Sequence, residues 1–480
     1  MRARKKQNMA TFASFSTRLA SRVRAVDPAW RWALGVYLGA RIFYTLWSVA
    51  VMLLAPTVLQ NLDLFGVPLV AYFDVASSER YVYARTVGGQ VLTFRAGAAG
   101  TMRDDETGSV WSLREGRAID GAWAGTQLAT AAYTAEEVFP YRGVAAETNP
   151  LLGVWQRFDV LWYQAIAERG YGATPGDIHF PPLYPLLENG LGRMLGGRTF
   201  FAGWLIAQCA LVASLAWLYH LTERWRDERT ARRALVLLVL FPTAFFFFTA
   251  YSEALFLLWT LWCFDALRHE KWVWAGFWAF LAILTRLQGI ALFAPLLYGV
   301  WQSARKNART RWDVRAVSFA QMFMLALPMG AGAFYLGLRA WVGASAIVPT
   351  HEPQLNAHLA SPWDNVWYAA QTLASGKFLL ADVLNLCVFV LALFLLWRGW
   401  RVLPFEYSCY VAATLLAASV RYVDTQPLNS MTRYVLTLFP LFMLLAYWSK
   451  NRWVERALVY SALPLSLYLS AQFFLWGWVA

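Results

Sequence analysis

The sequence predicts an all-α membrane protein with about eleven transmembrane helices, an outer amphipathic helix and a small extra-membrane insertion that contains β-strands. Of its 480 residues, 59% are hydrophobic, 17% are aromatic and only 15% are charged. A soluble protein has about 25% charged residues, and many apolar runs here reach the ~17–25 residues that a bilayer crossing needs. These observations predict a polytopic membrane protein.

The net charge of +13 would also fit a nucleic-acid-binding protein. The basic residues, however, cluster in short segments between apolar runs, which is the pattern of cytoplasmic loops in membrane proteins. We therefore expect no nucleic acid partner. The four cysteines fall inside apolar runs and have the spacing of neither a disulfide framework nor a zinc site.

Composition divides the chain into a basic cytoplasmic N-terminus, residues 1–29, and a transmembrane domain, residues 30–480. Within that domain, residues 56–150 are predicted to form an extracytoplasmic insertion, and residues 151–197 an outer loop with the amphipathic helix. Segment 81–95 alternates around Gly88 and Gly89, which predicts a β-hairpin. The N-terminus lacks the pattern of a cleavable signal peptide, so we expect it to stay in the cytoplasm of a plasma-membrane protein.

The basic segments also determine the predicted order of crossings. Segments 222–233 and 303–315 are both strongly basic and both expected inside, so an even number of crossings must separate them. Two are predicted within 234–267, with a break at Tyr251 and Ser252. The run 272–301 would be about 45 Å long as one helix, so we predict that it breaks near Arg286 into two short crossings.

The strongest candidate for a functional residue is Asp159. Residues 152–169 have helical periodicity and place Trp155, Trp162 and Tyr163 on one apolar face, with Asp159 in its middle. Desolvating a carboxylate there costs several kcal/mol unless a partner or a substrate compensates. Asp159 is either the acid of a surface ion pair or part of a working site, and the second interpretation is favoured because ionisable groups in apolar surroundings concentrate at such sites.

Other unusual polar groups are predicted near the same outer face. Arg286 and Arg433 fall where short helices meet the interface, either as membrane anchors or as ligands of a lipid phosphate. His179 lies beside a proline pair, where it either hydrogen-bonds the turn or has a catalytic or phosphate-binding role. Glu253 follows Ser252 at a helix start, where capping is the simpler account.

Motifs for soluble nucleotide donors are not found in the sequence, which has neither a phosphate-cradling glycine-rich loop nor a dinucleotide fingerprint. A donor carried in the membrane therefore fits better. No paired-acid metal motif is evident, so no cofactor is expected, although a divalent metal stays open.

Four stretches resemble the PIG-V-like mannosyltransferases, polytopic enzymes of the GT-C glycosyltransferase superfamily. They are RFDVLWYQAIAERGY with HFPPLYP, FPTAFFFFTAYSEALFLL, LTRLQGIALFAPLL and LNSMTRYVLTLFPLFMLLA, which follow in the family's order between about residues 155 and 446. The resemblance implies a GT-C-like transmembrane domain. It also implies inverting transfer of a hexose, mannose in this family, from a polyprenyl-phosphate donor to a lipid-linked or protein acceptor on the outer face.

Several residues that are typical of the family fall on named positions of this sequence. Its first-loop acid falls on Asp159, its Ser-Glu pair on Ser252 and Glu253, and its Arg-Tyr pair on Arg433 and Tyr434. The chain departs from the family in having Phe158 before the acid, where Trp is usual, in the sequence around His179, and in a larger insertion.

Together, these arguments assign Asp159 as the base, with His179 as a second catalytic candidate. Arg286, Arg433 and Tyr434 are predicted to bind the donor phosphate, and the further site candidates are Tyr163, Ser252, Glu253 and Gln288. Two other classes stay open: a lipid-sugar flippase or polymer ligase, and a non-catalytic membrane assembly protein.

Overall fold

The computed structural model describes residues 27–55, 57–64, 67–74, 80–98, 100–131, 144–173, 176–307, 317–342, 357–376, 380–423, 427–477 and 479. Most of the basic N-terminus predicted for residues 1–29, and the end of the basic segment 303–315, lie outside these residues.

The described chain is mostly helical. Its α-helices are α1 (Pro28–Leu54), α2 (Pro150–Gly153), α3 (Asp159–Arg169), α4 (Leu183–Met194), α5 (Thr199–Trp225), α6 (Glu228–Leu240), α7 (Glu253–Arg268), α8 (Trp272–Thr285), α9 (Phe293–Asn307), α10 (Phe319–Trp341), α11 (Pro362–Ala374), α12 (Leu380–Gly399), α13 (Phe405–Val420), α14 (Met431–Leu436), α15 (Phe439–Trp448) and α16 (Arg452–Phe474). Short 3₁₀ helices cover Asp177–His179, Ala244–Phe248 and Leu287–Leu292.

Five described helices, α1, α5, α10, α12 and α16, are long and apolar enough to cross a membrane, and α8, α13 and α15 are shorter apolar helices. Each of the five exceeds the ~17 residues that a crossing needs, which confirms the prediction of a membrane protein. The count of about eleven crossings stays a prediction.

The insertion contains β-structure, as the sequence predicted. Its strands are β1 (Thr57–Leu64), β2 (Val67–Asp74), β3 (Arg80–Ala84), β4 (Thr86–Val87), β5 (Gln90–Val91), β6 (Phe94–Ala96), β7 (Thr101–Asp104), β8 (Val110–Ser112) and β9 (Ala118–Asp120). They form sheets ordered β1-β2-β3, β4-β5 and β6-β7-β8-β9, all antiparallel. Outside the insertion, β10 (Ala357–Leu359) pairs with β11 (Arg421–Val423).

The predicted hairpin of segment 81–95 is only partly right. The turn at Gly88 and Gly89 forms, and both glycines have positive φ, but the ladder that it closes is only the two-residue pair β4-β5. The flanking halves pair elsewhere, because β3 adds to the β1-β2 hairpin and β6 begins a separate meander. Period-2 alternation identified the strands but not their partners.

The first sheet of the insertion packs against α3. Val58, Ala71 and Phe73 share an apolar cluster with Leu161 of α3 and with Trp476, which follows α16. The side chain of Gln60 also donates a hydrogen bond to the carbonyl of Leu475. The insertion therefore supports α3, and its location outside the membrane stays a prediction.

Three apolar runs of the sequence are interrupted. The run 272–301 breaks at Arg286, as predicted, and continues through the 3₁₀ helix Leu287–Leu292. The crossing expected from 234 to 250 ends instead at Leu240, because Pro242 follows. The apolar run 434–448, which is long enough in the sequence to suggest one crossing, is divided between α14 and α15, and the first turn of α15 contains Pro440.

Salt bridges bring the ends of three helices to one level. Asp27, which caps α1, is 3.5 Å from His220 of α5, and Arg224 of α5 is 2.9 Å from Asp265 of α7. From this level α7 rises 16 residues and α8 14 residues, or about 24 Å and about 21 Å at 1.5 Å per residue. Their far ends, at Glu253 and Arg286, meet at similar height and contribute to the candidate site.

Candidate active site

Asp159 begins α3 and does not lie in the middle of a longer apolar helix, as the sequence had predicted. α2 ends at Gly153, residues 154–158 leave the helix, and Phe158 has a φ of +50°, which is uncommon for a residue other than glycine. Arg157 stabilises this break, since its Nη1 donates to the carbonyl of Gly153 at 2.7 Å and its Nε to that of Phe474 at 3.2 Å. The carboxylate is thus placed at a helix N-terminus, which favours a negative charge.

The prediction that this helix is amphipathic, with an exposed polar face, is also wrong. In a single helix from 152 to 169, Gln156, Arg157 and Gln164 would fall on the polar face, opposite the apolar one, yet all three are buried. The amide of Gln156 donates to Gln164 Oε1 at 2.7 Å and to the carbonyl of Ala145 at 2.9 Å. Both sides of α3 are covered because the insertion packs on one and other helices on the other.

A network of ion pairs joins Asp159 to residues far away in the chain. Arg433 Nη2 lies 2.6 Å from Asp159 Oδ2 and 2.6 Å from Glu253 Oε1. Arg433 Nε donates to the same Glu253 oxygen at 2.8 Å. Arg286 Nη1 lies 2.9 Å from it as well. Glu253 is fully buried and Asp159 keeps 16% of its side chain exposed, so Asp159 is the more accessible acid.

Hydroxyl groups extend this network. Arg286 Nη1 donates to Ser252 Oγ at 3.2 Å, and Ser252 Oγ is 2.7 Å from the Tyr163 hydroxyl. Burial, the largest influence, raises the pKa of the Tyr163 phenol above its ordinary value of 10, so this group is a neutral hydrogen-bonding partner. Arg286 and the candidates Tyr163, Ser252 and Glu253 are therefore parts of one cluster.

Two aromatic residues that the sequence reasoning missed lie against Arg433. Its guanidinium carbon is 5.0 Å from the centre of the Phe246 ring and 4.9 Å from that of Tyr251. The Tyr251 hydroxyl accepts a hydrogen bond from the backbone N–H of Asp159 at 3.2 Å. Tyr251 directly precedes Ser252 in the sequence, and this adjacency was the available signal.

Gln288 and Tyr434 interact through the main chain. Gln288 Nε2 donates to the Tyr434 carbonyl at 3.2 Å and to Thr437 Oγ1 at 2.8 Å. Gln288 therefore holds the backbone directly after Arg433. A contact between Tyr434 and a phosphate stays a prediction.

His179 lies in the 3₁₀ helix Asp177–His179 and is partly exposed. The ring of Phe180, the next residue, packs 5.6 Å from Trp162 and 5.1 Å from Tyr163, which connects this turn to the cluster. A catalytic role for His179 stays a prediction.

The cluster combines two carboxylates and two guanidinium groups, so its formal charges balance. Among the described residues, Glu253 Oε2 is buried without a hydrogen-bond partner, and Asp159 Oδ1 is engaged by neither arginine. The described residues include no group of three His, Cys, Asp or Glu side chains that could hold a metal ion. The arrangement offers one partly exposed carboxylate group, that of Asp159, beside an arginine.

The sequence matches no known protein-family description and no curated protein. Among solved structures, it is similar to the archaeal oligosaccharyltransferase AglB from Archaeoglobus fulgidus in complex with an inhibitory peptide and a dolichol-phosphate. That match has 12% identity and a TM-score of 0.35 and covers 65% of this chain and 52% of that chain. The apo form of the same enzyme gives 14% identity, a TM-score of 0.35 and coverage of 67% and 52%. The chain thus spans about half the length of the archaeal enzyme, and the chemistry of its site is argued from its own residues.

Proposed function

We propose that the protein is a membrane glycosyltransferase of the GT-C type. It transfers a hexose, mannose by the resemblance of its motifs, from a polyprenyl-phosphate donor to a lipid-linked or protein acceptor. The reaction inverts the anomeric centre and takes place on the outer face of the plasma membrane, with Asp159 as the base.

One observation carries this proposal: four separate motif segments contribute to a single network. Asp159, Glu253, Arg286 and Arg433 come from helices and turns spread over the chain, yet their contacts lie between 2.6 and 2.9 Å. A purely structural ion pair in a membrane protein needs two charges. Four charges, one of them an accessible carboxylate, are what a reaction needs when it both removes a proton and releases a phosphate.

Asp159 performs the proton transfer in this mechanism. Its Oδ1 accepts the proton of the acceptor hydroxyl while the acceptor oxygen attacks the anomeric carbon of the donor sugar. The bond from that carbon to the phosphate oxygen breaks, and the lipid phosphate leaves with the electron pair. Attack opposite the leaving group inverts the configuration.

The two arginines have different tasks in the proposal. Arg433 uses Nε and Nη2 for Glu253 and Asp159, so it orients the base and is a positioning residue. The described contacts of Arg286 involve only Nη1, which leaves Nε and Nη2 to donate to the leaving phosphate. Donors already in place where negative charge develops lower the barrier of such a step.

The location of the cluster supports an outer-face reaction. Arg268 and Lys271 occupy the opposite ends of α7 and α8, where basic residues favour the cytoplasm. The cluster at their other ends is then close to the outer boundary of the membrane, within reach of a donor whose phosphate lies at the headgroup level.

Transfer is tested with the full-length protein in membranes and a polyprenyl-phosphate donor radiolabelled in its mannose. The expected result is labelled acceptor together with an equal amount of released lipid phosphate. Movement of label between leaflets without release would indicate a flippase, and inactivity toward every hexose donor would refute the proposal.

Lysine variants separate the two arginines. Arg286→Lys is expected to raise KM for the donor because a planar two-point donor becomes a point charge. Arg433→Lys is expected to lower kcat with little change in KM, since it disturbs the base. The reverse outcome would reassign the phosphate to Arg433.

A further inference from the structure

Arg41 is the central residue of the 27-residue apolar helix α1 and takes no part in the candidate site. It lies about 20 Å from the Pro28 end at 1.5 Å per residue. Because that end is level with the ends of α5 and α7, Arg41 lies at nearly the height of Glu253 and Arg286. An arginine inside a membrane-spanning helix is unfavourable unless an anion or another polar group compensates it.

The structure compensates this guanidinium only in part. Arg41 Nη1 donates to the carbonyl of Phe248 at 3.1 Å. Two indole rings lie against its guanidinium group, with centroids 4.8 Å away at Trp155 and 5.0 Å away at Trp204. Within the described residues, no carboxylate forms an ion pair with Arg41, and its Nε and Nη2 have no hydrogen-bond acceptor.

A second polar group lies one helical turn from Arg41. Tyr37 of α1 donates to Gln208 Oε1 at 3.2 Å, and Gln208 lies one turn after Trp204 on α5. The side chain of Gln208 is buried, and its Nε2 has no partner among the described residues. The seam between α1 and α5 therefore has unused donors on both of its helices.

An apolar surface borders the seam. Leu34, Leu38, Ile42 and Leu46 form an exposed ridge along α1, and Arg41 directly precedes one of them. The unused donors thus border an apolar surface along which a lipid chain fits.

We propose that Arg41 and Gln208 bind the phosphate of a membrane lipid in the seam between α1 and α5. Phosphate oxygens accept hydrogen bonds from Arg41 Nε and Nη2 and from Gln208 Nε2, and the lipid chain follows the exposed ridge of α1. The short helices α7 and α8, about 24 and about 21 Å long, require a locally thin bilayer, which brings lipid phosphates down to this height.

This lipid site is separate from the candidate active site. Arg41 contacts the Phe248 backbone and the rings of Trp155 and Trp204, and none of its described contacts involves a charged residue of the cluster around Arg433. The Trp155 carbonyl accepts from Thr249, three residues before Ser252. The inference therefore does not depend on glycosyl transfer.

The test counts lipids bound to the full-length protein by native mass spectrometry. The protein is taken from phosphatidylcholine nanodiscs that contain either phosphatidylglycerol or a polyprenyl monophosphate. We compare Arg41→Gln with Arg433→Gln and with Arg193→Gln, a matched control at an exposed arginine of α4. Loss of two charge-assisted donors should reduce occupancy roughly tenfold or more in Arg41→Gln, while the other two variants retain this lipid.

The two nanodisc arms identify the source of the phosphate, a phospholipid headgroup or a polyprenyl carrier, and retention of either supports the site. Gln208→Leu gives a second reading if Arg41→Gln does not fold, since it removes one donor and leaves the arginine packing intact. The proposal would be overturned if Arg41→Gln or Gln208→Leu, whichever folds, bound as much phosphate lipid as the wild-type protein. It would also be overturned if the wild-type protein retained only phosphatidylcholine.

Discussion

Replacement of Asp159 by asparagine tests the proposed base most directly. Asparagine has nearly the same shape, and its Oδ1 can still accept a hydrogen bond from Arg433 Nη2, which lies 2.6 Å from the native carboxylate. What it cannot do is accept a proton from the acceptor hydroxyl. The substitution therefore removes one chemical step and keeps most of the geometry.

The expected loss follows from the task of a general base. Such assistance contributes about 10²–10⁴-fold, which corresponds to about 3–5 kcal/mol of barrier. The folded protein should lose less, because Arg433 keeps its contacts of 2.6 and 2.8 Å with Glu253 and only the charge of one hydrogen-bonded partner disappears. We expect a decrease of about 1–2 kcal/mol in the free energy of unfolding.

The assay is steady-state transfer from the labelled lipid donor by purified protein, with kcat and KM measured separately. Asp159→Asn should lower kcat by about 10²-fold or more and leave KM for the donor within about threefold. Glu168→Gln is the matched control, since it removes an exposed carboxylate from the same helix α3. Near-normal turnover of folded Asp159→Asn would refute the assignment of the base.

Three further predictions concern charge, topology and pH. Glu253→Gln should lower the free energy of unfolding by about 3–5 kcal/mol, because it leaves buried guanidinium groups uncompensated. Thermal unfolding in detergent measures this loss, and an unchanged unfolding temperature would contradict the proposed balance of charges. A cysteine that replaces Ile290, which is 58% exposed, should react with an impermeant thiol reagent in intact cells. A cysteine that replaces Lys306 should react only after permeabilisation. The opposite result would show that the predicted topology is inverted. In the insertion, burial favours a higher pKa for Asp104, but hydrogen bonds from Trp111 and its neighbours outweigh it and hold the pKa below 3.8. A depressed pKa stabilises the fold above that value, so pepsin cleavage of the insertion should rise as pH falls below about 3.8, and a pH-independent cleavage rate would contradict this.

Much of the helical framework could be predicted because its signals are local. Apolar runs bounded by basic segments identified the long helices, and the length of the run 272–301 led to the break at Arg286 that the structure confirms. The misplaced boundaries, at Leu240 and between α14 and α15, follow prolines whose effect on helix ends outweighed continuous hydrophobicity.

Local periodicity was a poor guide around Asp159. A single helix from 152 to 169 satisfied the pattern, and the resulting isolated carboxylate was the reason for selecting this residue. The true break depends on Arg157, which binds the carbonyl of Phe474 more than 300 residues away, and on an insertion sheet that covers α3. Neither contact has a counterpart in the nearby sequence.

The ion pair between Asp159 and Arg433 also depends on packing between distant segments, which the local sequence does not predict. Considered on its own helix, the acid had no charge partner, and Arg286 and Arg433 were both predicted to bind the donor phosphate. Helix packing instead brings Arg433 against both Asp159 and Glu253 and leaves Arg286 as the arginine with unused donors. A donor phosphate bound to Arg286 Nε and Nη2 would share the guanidinium charge with Glu253, which contacts Nη1 and already has one buried oxygen without a partner among the described residues. Donor binding should therefore weaken the Arg286–Glu253 contact more than the Arg433–Asp159 contact, which keeps the base oriented while the leaving group acquires its charge.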